Sequence, residues 1–189
     1  MANPHVTREQ IEDEVKKALA ATLRLEESAV GLDKSIMNDL GATSIDFLDI
    51  NFRLENAFGI QLATQLLLDH VEEVLGEGVA IDKDNQITEG AASLLKLYLG
   101  EQPGLEAGIY ADEVPTLVTP MVLVKSVEGI TNELPDKCTH CSAAAWKTDD
   151  GMKVVCGECG KDAEYPDGDT LTQQWIMEVQ AEHKFFSAA

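Results

Sequence analysis

The fold turns on residues 39–59, Asp39-Leu40-Gly41-Ala42-Thr43-Ser44-Ile45-Asp46-Phe47-Leu48-Asp49-Ile50-Asn51-Phe52-Arg53-Leu54-Glu55-Asn56-Ala57-Phe58-Gly59. Thr43 or Ser44 opens a helix here, and Gly59 closes it. At 100° per residue Phe47, Ile50, Leu54, Ala57 and Phe58 form one apolar stripe. Ile45, Leu48 and Phe52 form a second, set apart from the first by Asn51 and Glu55 on one side and by Asp46, Asp49 and Arg53 on the other. A helix in a small bundle needs one buried stripe. The second either packs against the preceding loop or is exposed in part, at Ile45 and Phe52, for partner docking beside acidic residues.

The same helical period extends in both directions. Thr7 and Gln10 make a capping-box pattern ahead of Ile11, Val15, Ala18, Leu19 and Leu23. A long loop, residues 26–42, leads to Ser44. After Gly59 come Leu66, Leu67, Val71, Val74 and Leu75, then Gly76 and Gly78. Thr88 can cap a last helix carrying Ala91, Leu94, Leu95 and Tyr98. Four helices with one long loop make a small bundle, with Phe47, Ile50, Leu54, Leu67, Leu95 and Tyr98 in its core.

The run DLGATSI at residues 39–45 resembles the attachment site of acyl carrier proteins, whose pattern is Asp-Leu-Gly-x-Asp-Ser-Leu at the head of the second helix. The order of elements fits over residues 5–100. The continuation is most similar to specialised carriers of very long acyl chains for lipid A. The resemblance implies that a phosphopantetheinyl transferase moves 4′-phosphopantetheine from coenzyme A onto Ser44, and that the arm's thiol carries acyl groups as thioesters in fatty acid or specialised lipid biosynthesis. Ser44 is then a modification site and not a nucleophile, and the protein is a carrier and not an enzyme. Read alone, Ser44 or Thr43 would be a helix cap; the surrounding pattern changes that reading. A helix N-terminus with free N–H groups suits a phosphodiester on that oxygen. Thr43 stands where the family usually has Asp, so it can still cap the helix and pair with Asp46, but an acidic contact for the transferase is lost. The resemblance also implies an interior able to shelter an acyl chain. Residues 60–87 are long for the family, which fits a larger pocket, an altered partner surface or a loop insertion.

Cys138-Thr-His-Cys141 and Cys156-Gly-Glu-Cys159 are two C-x-x-C pairs fourteen residues apart. Each pair folds a knuckle that aims two sulfurs at one ion. Residues 136–166 resemble a zinc ribbon, with a β-hairpin turning at Asp149-Asp150-Gly151 and with Gly157 and Gly160 in the second knuckle. Four thiolates suit tetrahedral zinc with no open position, a structural site; iron in a rubredoxin-like site is the alternative. His140 reads as a solvated loop residue. A chain without an export signal argues against disulfides.

Composition bounds the rest. The chain has 189 residues, 44% of them apolar, with 34 Asp and Glu against 14 Lys and Arg, a net charge of −20. Such a surface repels nucleic acid and anionic membranes and attracts basic partners. No apolar run is long enough to span a bilayer, and Met1 to Val6 lack a signal-peptide pattern, so we expect a cytoplasmic, monomeric protein without membrane insertion. The expected fold class is α+β: a four-helix carrier domain (residues 1–100), a Pro/Gly-punctuated connector (101–135) in which Val114 to Val127 can form an edge strand, the ribbon (136–166), and a C-terminal helix (167–189) capped at Thr170 with Gln173, whose face is Leu171, Trp175, Ile176 and Val179. Acyl-handling enzymes with basic patches would dock at Ile45, Asp46, Asp49, Phe52 and Glu55. The rival reading is an unmodified carrier-like fold serving as a zinc-dependent interaction module.

Overall fold

The structure, a computed structural model, describes residues 5–149 and 151–186. Among the described residues six α-helices are formed: α1 (Arg8–Leu23), α2 (Ser44–Phe58), α3 (Leu67–Leu75), α4 (Glu89–Leu99), α5 (Pro120–Thr131) and α6 (Gly168–His183). An antiparallel pair, β1 (Trp146–Thr148) and β2 (Val154–Cys156), lies between α5 and α6, with Trp146 opposite Cys156 and Thr148 opposite Val154. The class is therefore α+β. Asp149, at the hairpin tip, accepts the Gly151 N–H at 2.9 Å; Asp150, part of the expected tight turn, lies outside the described residues.

The capping box of α1 forms as the sequence predicts, with the Thr7 N–H donating to Gln10 Oε1 (2.8 Å) and the Gln10 N–H to the Thr7 hydroxyl (3.3 Å). Helix α1 packs against α2 and α5, burying Ile11, Val15, Leu19, Ile50, Leu54, Phe58, Val124, Val127 and Ile130 in one core. Val154 and Ala163 of the ribbon belong to it too. A second core joins α3 and α4 to α6 through Val71, Leu94, Leu95, Ile176 and Val179, and Val122 of α5 is buried there.

Residues 120–131 are a correction to the expected edge strand. Pro120 sits at the start of a helix, where its missing N–H costs nothing, and a 3-10 helix, Ala111–Leu117, precedes it. Because α5 lies between two cores, its apolar residues are buried on more than one side, so no polar stripe marked the helical period. The long loop before α2 is tied to this same stretch. The Ser35 hydroxyl donates to the Thr116 carbonyl (2.6 Å), Ile36 N–H to Val118 (2.9 Å), and Met121 N–H to Leu32 (3.0 Å).

Helix α6 is capped by Asp167 rather than Thr170. The Asp167 carboxylate accepts both the Thr170 N–H (2.8 Å) and its hydroxyl (2.9 Å), so the helix starts one turn earlier than expected. Its first residue must be glycine, since a Cβ on Gly168 would lie 2.3 Å from the Ala63 nitrogen. That close approach brings Asp169 against the segment after α2. Its carboxylate accepts from the Thr64 N–H (2.9 Å), the Thr64 hydroxyl (2.8 Å), the Gln65 N–H (3.2 Å) and His70 Nε2 (2.9 Å). His70, on α3, is fully buried, and its Nδ1 makes no hydrogen bond.

Asp169→Ala should destabilise the chain by about 2–3 kcal/mol, because it leaves the buried imidazole and nearby N–H groups without an acceptor. Burial raises the Asp169 pKa, but the bonds from Thr64, Gln65 and His70 outweigh it and hold the carboxyl below its ordinary value. Its stabilisation is thus present above the unfolded pKa and lost as pH falls through the folded one. Urea midpoints for wild type and variant should therefore differ at neutral pH and converge in acid; a gap that persists in acid would contradict this.

Candidate functional site

Ser44 is the first residue of α2. The approach to it is fixed. Gly41 has φ +77°, a left-handed conformation that favours glycine. Its N–H donates to the Met37 carbonyl (3.1 Å), and the N–H of buried Ala42 donates to Ile36 (3.0 Å). Thr43 is extended, and Asp46 Oδ2 accepts from both its N–H and its hydroxyl, each at 2.7 Å. These bonds, the hydroxyl's first, lower the Asp46 pKa. Thr43 is thus the N-cap residue of α2, with both of its donors engaged by Asp46. Ser44 is exposed, and among the described residues its hydroxyl makes no hydrogen bond. A free hydroxyl on the first turn of a helix, next to N–H groups that lack helical partners, suits a phosphodiester.

The second stripe of α2 is exposed. Ile45 is 74% accessible, Leu48 70% and Phe52 63%, so the stripe does not pack on the loop. Leu48 belongs to this ridge as fully as the two residues singled out from the sequence. The three acids expected beside it all have partners within the chain, Asp46 in Thr43. Asp49 accepts from the Thr22 hydroxyl (2.6 Å) and from Arg53 Nε (2.8 Å), which together lower its pKa. Glu55 turns toward the chain reversal after α2 and accepts the Leu62 N–H at 2.9 Å. Only the spacing of Glu55 from Gly59 hinted at that structural role.

The family described as a phosphopantetheine attachment site matches residues 13–87, a span that holds Ser44, its approach and the ridge. The acyl carrier protein of Exiguobacterium sibiricum is 40% identical over 57 residues, 30% of this chain and 72% of that protein. The chain belongs to the acyl carrier protein family. The acyl carrier protein of Petrotoga mobilis is 27% identical over 85 residues, which is 42% of this chain and 100% of that one. No solved structure matches. Residues 88–189, which include α5, the hairpin and α6, lie outside the family match. Membership in this family implies a covalent phosphopantetheine group. No helix of the described residues is long and apolar enough to cross a membrane.

The four cysteines form a second site. Cys138, Cys141, Cys156 and Cys159 bring their sulfurs within 4.8 Å of one another, and none is disulfide-bonded. Sγ–Sγ distances are 3.7 Å for Cys138–Cys159 and 3.6 Å for Cys141–Cys156. Metal–sulfur bonds of about 2.3 Å in a tetrahedron put sulfurs about 3.8 Å apart, so the set fits zinc. The two knuckles share one geometry. The Ser142 N–H returns to the Cys138 carbonyl (2.8 Å) and the Gly160 N–H to Cys156 (2.9 Å), with left-handed residues at Ser142 and Gly160. The thiols behave as a crowded anion site. The Cys159 N–H draws Cys156 down to about 7. The Ala143 N–H favours the Cys141 thiolate, but the neighbouring Cys156 and Cys159 outweigh it and push Cys141 up to about 12. Four thiolates coexist only around a cation. His140 is outside the cluster, exposed, with Nε2 3.3 Å from Glu164 Oε1.

Proposed function

We propose that this protein is an acyl carrier whose arm is attached at Ser44, and that its ridge receives the enzymes that load and use it. The observation that carries this reading is the unengaged Ser44 hydroxyl at the head of α2, inside the span matched by the family. When bound, 4′-phosphopantetheine supplies a thiol that holds acyl groups as thioesters. The chain's own part is to present and to orient. Ser44 Oγ anchors the phosphate, the first-turn N–H groups of α2 offset its charge, and the bonds from Thr43 to Asp46 keep the neighbouring hydroxyl out of competition. We assign the protein to fatty acid or specialised lipid biosynthesis, working as a monomer in the cytoplasm. Reduced cysteines and the acidic surface suit that setting.

Ile45, Leu48 and Phe52, flanked by Asp46 and Asp49, are the docking face for enzymes with basic, apolar-centred patches. Phe52→Ala should weaken binding of a phosphopantetheinyl transferase about tenfold, as loss of an interface aromatic does. Melting temperature should hardly change, because the ring is exposed. Unchanged titration-calorimetry affinity would contradict this docking face. Cys138, Cys141, Cys156 and Cys159 hold a structural zinc, and the ribbon adds a partner surface or limits access to the bundle. The proposal as a whole is tested by incubation with coenzyme A and a transferase, which should add one arm to the wild-type chain and none to Ser44→Ala.

A further inference from the structure

A groove runs along the seam of α4, α5 and α6, in two adjoining lobes of about 180 and 230 Å³ that share Tyr98, Lys125, Ser126 and Trp175. Together the lobes reach the size at which small-molecule sites begin, about 300 Å³. Two features set it apart. The first is charge. None of its lining residues is acidic, in a chain with 34 acids against 14 Lys and Arg. Lys125 is exposed at the groove, and among the described residues it makes no ion pair. The Tyr98 hydroxyl is 3.5 Å from Ser126 Oγ, a contact too long to be strong.

The second feature is Gly129. It lies in ordinary helical backbone inside α5, and nothing stands within 4 Å of the place a Cβ would take. No packing demands glycine there, and alanine would strengthen the helix. Gly129 lines the first lobe, which a long side chain at this position would fill. The walls are apolar: Tyr98 and Trp175 meet at 5.5 Å with their rings tilted by 51°, and Val122 and Leu171 complete them.

We propose that this groove is a binding site for an apolar carboxylate, its chain lying along the joined faces of Tyr98 and Trp175 and its carboxylate at Lys125. An acyl group held as a thioester has no carboxylate for Lys125, so this site is distinct from the cargo on Ser44. Its test is independent of the arm. The full-length, metal-loaded and unmodified protein is titrated with dodecanoate below its micelle concentration and followed by proton–nitrogen NMR. The Trp175 indole and Gly129 amide signals should shift saturably, while the Trp146 indole, which donates to the Pro135 carbonyl at 2.7 Å, should stay fixed. Gly129→Leu should abolish the shifts and melt at the same temperature as wild type or higher. Lys125→Met should weaken dodecanoate about two- to fivefold, the worth of one exposed ion pair, and leave dodecanol binding unchanged. Absence of a saturable Trp175 shift, equal shifts at Trp146, or undiminished binding by Gly129→Leu would each overturn the proposal.

Discussion

Stripping the metal with a chelator, or replacing Cys156 by serine, is expected to unfold the ribbon and to lower the stability of the whole chain by several kcal/mol. The ribbon has little core of its own. It owns a three-residue strand pair, and Cys156 is fully buried at the end of β2. Fragments of this size depend on a cross-link or a metal, and structural zinc contributes about 10–16 kcal/mol of binding energy in isolated fingers. Here the effect should spread. Val154, two residues from Cys156, is 2% exposed in the core shared by α1, α2 and α5, and Ala163, Trp146, Met152 and Tyr165 pack on that core as well. Losing the ribbon would expose one side of the bundle that presents Ser44. Circular dichroism melts should therefore show the helical transition itself falling by ten degrees or more, about what several kcal/mol imply for a chain of this length. Helices that melt unchanged after complete metal removal would show that the bundle stands without the ribbon.

The second large effect is all-or-none. Ser44→Ala should abolish attachment of the arm and leave the fold intact. The hydroxyl makes no hydrogen bond among the described residues and the side chain is exposed, so the stability change should stay within about 0.5 kcal/mol. Thr43 is not expected to stand in for it, because its hydroxyl is held against Asp46 and not presented to solvent as that of Ser44 is. Asp46→Ala is the informative companion. It would release Thr43 and remove a charge beside the ridge, so loading should slow while Ser44 remains the acceptor.

What the sequence reveals about this protein follows from where its information is local. Ser44, the two stripes of α2 and the cysteine knuckles are each decided by residues within a few positions of one another, and the structure has α2 and the sulfur cluster where that spacing puts them. The role of residues 101–189 depends on distant partners. Helix α5 read as a strand because a β-branched run with a proline carries no helical stripe when two cores claim its sides. Asp169 looked like one of many acids; only the approach of Gly168 to Ala63 makes it the acceptor for Thr64, Gln65 and His70. Glu55, expected as a docking acid, also accepts the Leu62 N–H at the reversal after α2, a contact that its place on the helix does not announce. Side chains that serve contacts a hundred residues away leave no periodic trace.

The most direct measurement is peptide-level mass spectrometry of the full-length chain after expression with the transferase of its own source, with Ser44→Ala as control. One phosphopantetheine group is expected, localised by fragmentation to Ser44, and none on the variant. A wild-type chain that stays unmodified in the presence of active transferase, or an arm found on Thr43, would contradict that expectation.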